Sequence, residues 1–564
     1  MSSFQGIAAS SGVAFGDFYL LDSKIPETNA EKSKIGSLAE KGALKSAMKT
    51  VAEDLALRAE RASGELKDIL FAIAEFAEDP GLIEEAESFI ERGQSASYAI
   101  QQAAQVFQAL LSQSGGYLAE RVSDIENIRD RIICEIEGVS YPEIPKQDNP
   151  IILVARDLSP ADTIDLNASE ILAIVTESGG PTSHTAIIAR SMGIPAIVAC
   201  IGVVEAARKS KGKKFAVDAI NGQVFFDPSP LQVAEIAKMS ERIQARKKLK
   251  VRKNADGFLT RDDHLIPIYA NISRIDDVSA AITAKADGIG LLRTELFYLD
   301  RQEPPTLQEQ SAIYAEMFTA FKGQKVVIRT LDAGADKPMA FINFDAEPNP
   351  ALGVRGYRTI NIHEDLLKTQ LMAIAAATEL SGAEVWVMAP MITTVDEAEN
   401  FVKLCRSFGI TRSGVMIEVP AAVFMADEII KATDFLSIGT NDLGQYLHAA
   451  DRESAALAHF NDPWQPALLK AVYEVAKAGL SGNCPVGICG EAASDPLLAA
   501  ILIGLGVTSL SCNPLSIEDV AHGLTNLTIV QMQAAALKVL SQRSPESARS
   551  CARAYLPKLA ELGL

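Results

Sequence analysis

The chain has 564 residues, 48% hydrophobic and 22% charged, with a formal net charge of −19. That is an ordinary globular composition, long enough for about three to four domains. So acidic a chain is not a general nucleic-acid binder, which needs a basic footprint, although a basic protein partner and a local anion pocket stay open.

The N-terminus has no basic region followed by an apolar one, so no signal peptide is expected. Residues 93–119 and 496–517 carry no charge, but polar residues and glycines interrupt both, and neither reads as a membrane span. No membrane insertion is expected. The seven scattered cysteines form neither a disulfide framework nor paired zinc spacing. A reducing cytoplasm fits.

In chain order, residues 1–21 read as a short β segment. Residues 30–138 are dominated by helix formers, with Pro80 the only proline. Ile100, Ala103, Ala104, Phe107, Leu110 and Leu111 repeat with the period of an amphipathic helix. Residues 22–138 hold 22 Asp/Glu against 13 Lys/Arg, nearly half the net charge. That is either a solvated bundle surface or a docking face for a basic partner. Residues 150–227 return to an α/β pattern, with runs at 151–155, 171–176, 196–199, 215–218 and 222–226 and a helix starting near Ser183. The segment 1–21 is expected to join this region, with the helical segment inserted. Residues 230–253 read as a solvated linker helix ending in a basic cluster that includes Arg246 and Lys253.

From about residue 258, short strands alternate with helices. Candidate strands are 266–271, 287–292, 325–330, 384–389, 413–418, 434–439, 485–489 and 507–511. Eight such units predict a closed (β/α)8 barrel, whose function sits at the C-terminal strand ends. Five strands end in chemistry there: Arg293-Thr294-Glu295; Arg329-Thr330 with Asp332; Glu418; Thr440-Asn441-Asp442 with Arg452 ten residues on; and Cys489-Gly490-Glu491. Several arginines imply a multiply charged anion. Glu418 and Asp442 suit Mg2+, which takes one or two protein carboxylates. A small molecule with both phosphate and carboxylate satisfies such a site, and phosphoenolpyruvate is one. Cys489 is a nucleophile, a proton donor or a buried core residue.

His184 stands in Gly179-Gly180-Pro181-Thr182-Ser183-His184-Thr185. Two glycines allow a tight turn, and Ser and Thr suit a helix start, where free N–H groups attract an anion. The histidine is either a nucleophile held there or an ordinary residue of a helix start.

Together, GGPTSHTAIIARS, DGIGLLRTE, VIRTLDAGADK, NPALGVRGYR, GVMIEVPAA, SIGTNDLGQY with AADR, and GICGE resemble the Enzyme I family of the bacterial phosphotransferase system, the phosphoenolpyruvate-protein phosphotransferases. The resemblance spans essentially the whole chain. It implies a multidomain α/β protein: a phosphohistidine α/β domain (1–21 plus 144–227), an inserted all-α domain docking the phosphocarrier HPr (22–143), a helical linker (228–256), and a phosphoenolpyruvate-binding TIM barrel that dimerises (257–564). It implies His184 as the phosphorylated histidine. Arg293, Arg329, Arg452 and Asn441 are implied on substrate, with Asp442 beside it and Arg355 in support. Glu418 and Asp442 are implied as Mg2+ ligands, Cys489 as the acid that makes pyruvate, and Thr163 as the hydroxyl orienting the histidine. Three positions depart from the family pattern: Pro181 replaces an arginine, Ala335 a glycine and Gly444 a threonine. Two other readings share the motifs. An ATP-dependent pyruvate dikinase or phosphoenolpyruvate synthase needs a large nucleotide-binding domain and has no GxxxxGK[ST] loop to point to here. A non-catalytic sensor leaves His184, Cys489 and both carboxylates without purpose.

Overall fold

The computed structural model describes the chain apart from residues 1, 23–24, 31, 34, 62–64, 115–121, 143, 145–148, 165, 168, 181–182, 211–213, 300, 335–338, 340, 343–346 and 453–454. The side chains of some further residues, His184 among them, also lie outside the described set. Pro181 and Ala335, two of the departures from the family pattern, are outside it too. The chain divides into two units, Met1–Glu241 and Arg242–Leu564.

In the first unit, β1 (Ser2–Gln5), β2 (Ile7–Ser10) and β3 (Val13–Leu21) share one sheet with β4 (Ile151–Ala155), β5 (Ile171–Thr176), β6 (Ala196–Val198), β7 (Lys214–Asp218) and β8 (Gln223–Phe226). The order is β1-β8-β7-β3-β4-β5-β6-β2. β3 to β6 run parallel, and every residue of β4 is buried, as in a strand covered on both faces.

Between β3 and β4 the chain forms helices α1 (Ser37–Arg61), α2 (Glu65–Ala77), α3 (Pro80–Glu91), α4 (Ala96–Ser114) and α5 (Val122–Ile136). They share a core of Leu44, Met48, Leu55, Ile90, Ile100 and Ile132. In α4 the apolar stripe is narrower than its spacing predicts. Ile100, Ala103 and Ala104 are buried, but Leu110 is 56% exposed. Arg131 of α5 ties the bundle to the sheet region. Its guanidinium donates to Asp162 at 2.9 Å and lies 4.1 Å from the Tyr141 ring centroid. Asp162 in turn closes the capping box of α6 (Pro160–Thr163). After it come α7 (His184–Met192), α8 (Val203–Lys209) and α9 (Pro230–Lys247).

The linker reading needs two corrections. The helix stops at Lys247, so residues 248–256 are not helical. Nor is the basic cluster solvated throughout. Arg246 is buried, donating to the carbonyls of Leu562 and Gly563 at 3.0 and 2.8 Å and to Asp519 at 2.8 Å. Lys253 pairs with Asp287 at 2.7 Å.

The second unit is a closed barrel of eight parallel strands. They are β11 (Ile268–Ile272), β12 (Gly288–Leu292), β13 (Lys325–Arg329), β14 (Glu384–Ala389), β15 (Ser413–Ile417), β16 (Leu436–Ile438), β17 (Val486–Ile488) and β18 (Ser509–Cys512). β11 begins later than its apolar run suggests, because Leu265–Ile266 (β10) pairs instead with Phe258–Leu259 (β9) in a separate hairpin. Residues 496–504 form a buried helix ahead of β18. Among the described residues no helix is long and apolar enough to cross a membrane.

Candidate active site

The parallel strands deliver their C-terminal residues to one end of the barrel. There charges alternate in a chain of pairs. Arg329 closes β13. It donates to Glu295 at 2.9 Å and to Asp332 at 3.2 Å. Asp332 is fully buried and accepts two bonds from Arg355, from Nε at 3.1 Å and Nη2 at 3.0 Å. Arg355 Nη1 reaches on to Asp442 at 2.8 Å. Asp442 also accepts from Arg452 at 3.2 Å. Arg329 and Arg355 are buried, while Arg452 keeps about a third of its side chain exposed. Burial opposes the Arg329 charge. The surrounding carboxylates, Glu295 and Asp332 foremost, outweigh it and hold the guanidinium firmly protonated. Buried charges persist only when paired this closely.

Glu418 follows β15 and is fully buried. Its Oε1 accepts from the Met391 N–H at 2.7 Å, and Met391 adopts a left-handed backbone (φ 59°), which is strained for a side-chain-bearing residue. Its Oε2 has no hydrogen-bond partner. Burial first, then the charges of Asp442 and Asp332, push the Glu418 carboxyl up to about 7, against the pull of Arg329 and Arg355. A side chain at Gly439 would place its Cβ 2.9 Å from that free Oε2, so the glycine keeps space open beside it. Thr440 Oγ1 and Arg329 Nε are likewise buried and unpartnered. At Gly490 a Cβ would stand 1.8 Å from Thr440 Oγ1; only glycine fits.

Arg293 is half-buried directly after β12, and its backbone N–H bonds Ile272. Asn441 Oδ1 accepts from the Glu491 N–H at 3.2 Å. Cys489 follows β17 and is buried. Its thiol lies 3.5 Å from the Ile438 carbonyl. Burial pushes that thiol up to about 11, while a hydrogen bond with Ser437 acts the other way. Asn271 of β11 secures the same turn by donating to the carbonyls of Cys489 and Ser511, each at 3.2 Å. Glu295 and Asp332 appear in the sequence only as strand-end residues, yet they fix Arg329 and Arg355. Asp332's place three residues after Arg329 was the available signal. Met391 carried no signal in the sequence.

The other unit holds the histidine. His184 is the first residue of α7, and Ser183 caps it by accepting from the Ala186 N–H at 3.4 Å. Gly179 turns the preceding loop with φ 90°, a conformation that glycine adopts without strain. Thr185 bonds Asp157 at 3.2 Å. Thr163 is buried and donates to the Pro160 carbonyl at 2.7 Å. The departure at Gly444 sits inside helix 440–448, where an added Cβ would meet only Leu468 at 3.9 Å.

Three family models of the PEP-utilising enzymes match in sequence order: the N-terminal domain over residues 5–121, the mobile domain over 147–222 and the PEP-binding domain over 247–529. Over 98% of its length the chain is 41% identical to a phosphoenolpyruvate-protein phosphotransferase from Streptomyces coelicolor, covering 99% of that protein. The chain belongs to the phosphoenolpyruvate-protein phosphotransferase family. Proteins of the same name from Geobacillus stearothermophilus and Bacillus subtilis are 35% and 32% identical over 91% and 97% of the chain, covering 91% and 98% of those proteins.

Enzymes of this family use a divalent metal, and the residues present fit one. Among the described residues no three His, Cys, Asp or Glu side chains gather to enclose an ion. The unpartnered Glu418 Oε2 and the Asp442 carboxylate instead offer a two-residue oxygen set. A carboxylate oxygen accepts more than one bond, so the pairing of Asp442 with arginines does not exhaust it. This set suits a hard cation that completes its shell with substrate and water.

Proposed function

We propose that the chain transfers the phosphoryl group of phosphoenolpyruvate to its own His184, releases pyruvate, and then passes the group to a histidine of the phosphocarrier HPr. The alternating Arg–carboxylate chain at the barrel mouth carries this reading, in a chain that aligns end to end with phosphoenolpyruvate-protein phosphotransferases.

Arg293, Arg329 and Arg452 bind the phosphate and carboxylate of the substrate, with Asn441 on the same molecule. Arg355 does not need to touch substrate. By gripping Asp332 and Asp442 it holds the neighbouring arginines in place. Glu418 and Asp442 would hold Mg2+, which supplies charge neutralisation at the phosphate when bound. A cation held by Glu418 and Asp442 would offset the carboxylate charge of the mouth and make it more attractive to an anion. Phosphoryl transfer is then mainly positioning and electrostatics.

His184 takes the phosphoryl group, with Thr163 orienting its ring and the free N–H groups at the start of α7 receiving the phosphate. Cys489 protonates the departing enolate. Its thiol stays protonated at neutral pH, which supports an acid rather than a nucleophile.

We assign residues 1–21 plus 144–227 to the phosphohistidine domain. The acidic segment 22–143 docks HPr, 228–256 forms the joint, and 257–564 binds substrate and pairs two copies into a dimer. The free cysteines fit a cytoplasmic protein.

Incubation with labelled phosphoenolpyruvate and Mg2+ should leave acid-labile phosphate on His184. Chelation should prevent the labelling and added Mg2+ restore it. Unlabelled wild type, or equal labelling of His184→Ala, overturns the reading.

A further inference from the structure

Cys489 gives up its proton at every turnover, yet it is buried and must be recharged before the next. The barrel interior holds a route for this on the side away from the substrate. A TIM barrel is normally filled by layers of bulky branched side chains. Here small residues of the strands, Gly290, Ser437, Gly487, Ser509 and Ser511, line a cavity of about 30 Å3 together with Lys325 and the rings of Tyr269, Trp386 and Phe435. That space holds about one or two water molecules, and the Ser437, Ser509 and Ser511 hydroxyls supply the polar partners such water needs.

The two ends of the cavity differ. At one end, Ser437 hydrogen-bonds the Cys489 thiol. At the other, Lys325 opens β13 at the base of the barrel and is only half-buried. Its Nζ lies 3.4 Å from the Trp386 ring centroid and 5.5 Å from that of Tyr269. Among the described residues no carboxylate pairs with it. Val327 and Arg329 follow on the same face of β13, since strand side chains alternate. The proton-bearing base and the substrate-binding mouth are thus two ends of one strand face. Val327, Trp386 and Phe435 also line the cavity, and with Leu291, Met388 and Met416 they form the apolar cluster that includes Cys489.

We propose that Lys325 returns a proton to Cys489 after each enolate is protonated, through water in this cavity and the Ser437 hydroxyl. This rests on the reading of Cys489 as the acid. The steps balance. The S–H bond breaks as the C–H bond of pyruvate forms. The thiolate then takes the Ser437 hydroxyl proton. Ser437 takes one from cavity water, and the water takes one from the Lys325 ammonium. The resulting amine is reprotonated by bulk solvent at the base. Burial is the main cause that brings the Lys325 ammonium down to about 8; Glu384 opposes this and Arg412 adds to it. With the thiol up at about 11, transfer from ammonium to thiolate runs downhill.

Two exchange rates, measured in D2O with enzyme, Mg2+, phosphoenolpyruvate and pyruvate, test this. Carbon-label exchange between phosphoenolpyruvate and pyruvate only shuttles one proton to and from Cys489. Deuterium entry into the pyruvate methyl group needs Cys489 to exchange its proton with solvent. For wild type the two rates should be comparable. For Lys325→Met, deuterium entry should fall about tenfold or more while carbon exchange stays within about twofold, a loss at the low end of what proton-transfer groups contribute. Methylamine should restore it. Ser437→Ala, a smaller change, should show the same split without amine rescue. If both variants keep the wild-type ratio, or both rates fall together without rescue, the relay is overturned. If wild type itself shows no carbon exchange, it is the phosphotransferase reading that fails instead.

Discussion

On the proposed function, the barrel mouth and the histidine-bearing turn handle the same phosphoryl group with opposite materials. The mouth is made of charged side chains, mostly buried and locked in a chain of pairs from Glu295 through Arg329, Asp332, Arg355 and Asp442 to the part-exposed Arg452. The turn is made of Gly179, Gly180, Ser183 and the first residues of α7, where backbone N–H groups supply the positive end. A site that recognises a small, multiply charged substrate benefits from fixed charges held before it arrives. A group that must accept a phosphoryl and give it away again benefits from weak, uncharged donors that do not trap it.

This contrast can be tested from its largest consequence downward. Cys489→Ala should slow phosphorylation by phosphoenolpyruvate by about 10²–10⁴-fold while sparing exchange between His184 and HPr; rapid-quench assays of each half-reaction decide, and equal loss of both would remove the division of labour. Arg355→Leu leaves the buried Asp332 and Asp442 each short of one of its two cations. It should cost about 3–5 kcal/mol, read as an earlier denaturant midpoint for the barrel unit. Gly490→Ala forces a Cβ against Thr440 Oγ1 and should cost about 1–3 kcal/mol, together with weaker binding of phosphoenolpyruvate measured by calorimetry. Ser183→Ala removes one cap from α7 and should cost only about 1 kcal/mol. A loss there as large as that of Arg355→Leu would show that the turn is also a rigidly built site.

The barrel was legible because eight apolar runs alternate with helices, and because five of them stop at charged or polar residues. The end of the barrel where these side chains gather was legible too, since Arg293, Arg329, Glu418, Asp442 and Cys489 each stand at or just past a strand end. What the sequence concealed depends on partners distant along the chain. Asp332 and Arg355 are 23 residues apart and Arg355 and Asp442 are 87 apart, so nothing local reveals that they form one chain of pairs. The left-handed Met391 is invisible because its role is a backbone N–H. Arg246 looks like one more surface cation, and only the carbonyls at 562 and 563 explain its burial. Hydrophobic spacing also overstated α4, whose stripe ends before the exposed Leu110.

The anchoring of Arg246 has a topological consequence. Its guanidinium holds carbonyls 316 and 317 residues further on, and the backbone at Ile243 lies 3.4 Å from where a Cβ on Gly563 would stand. The barrel unit therefore begins and ends at the same place. A short bridge from residue 564 to residue 242 would span that junction, so the barrel unit is suited to circular permutation, with new ends opened in an exposed loop such as that around Gly409. The order in which its strands are written along the gene is then separable from the ring they form.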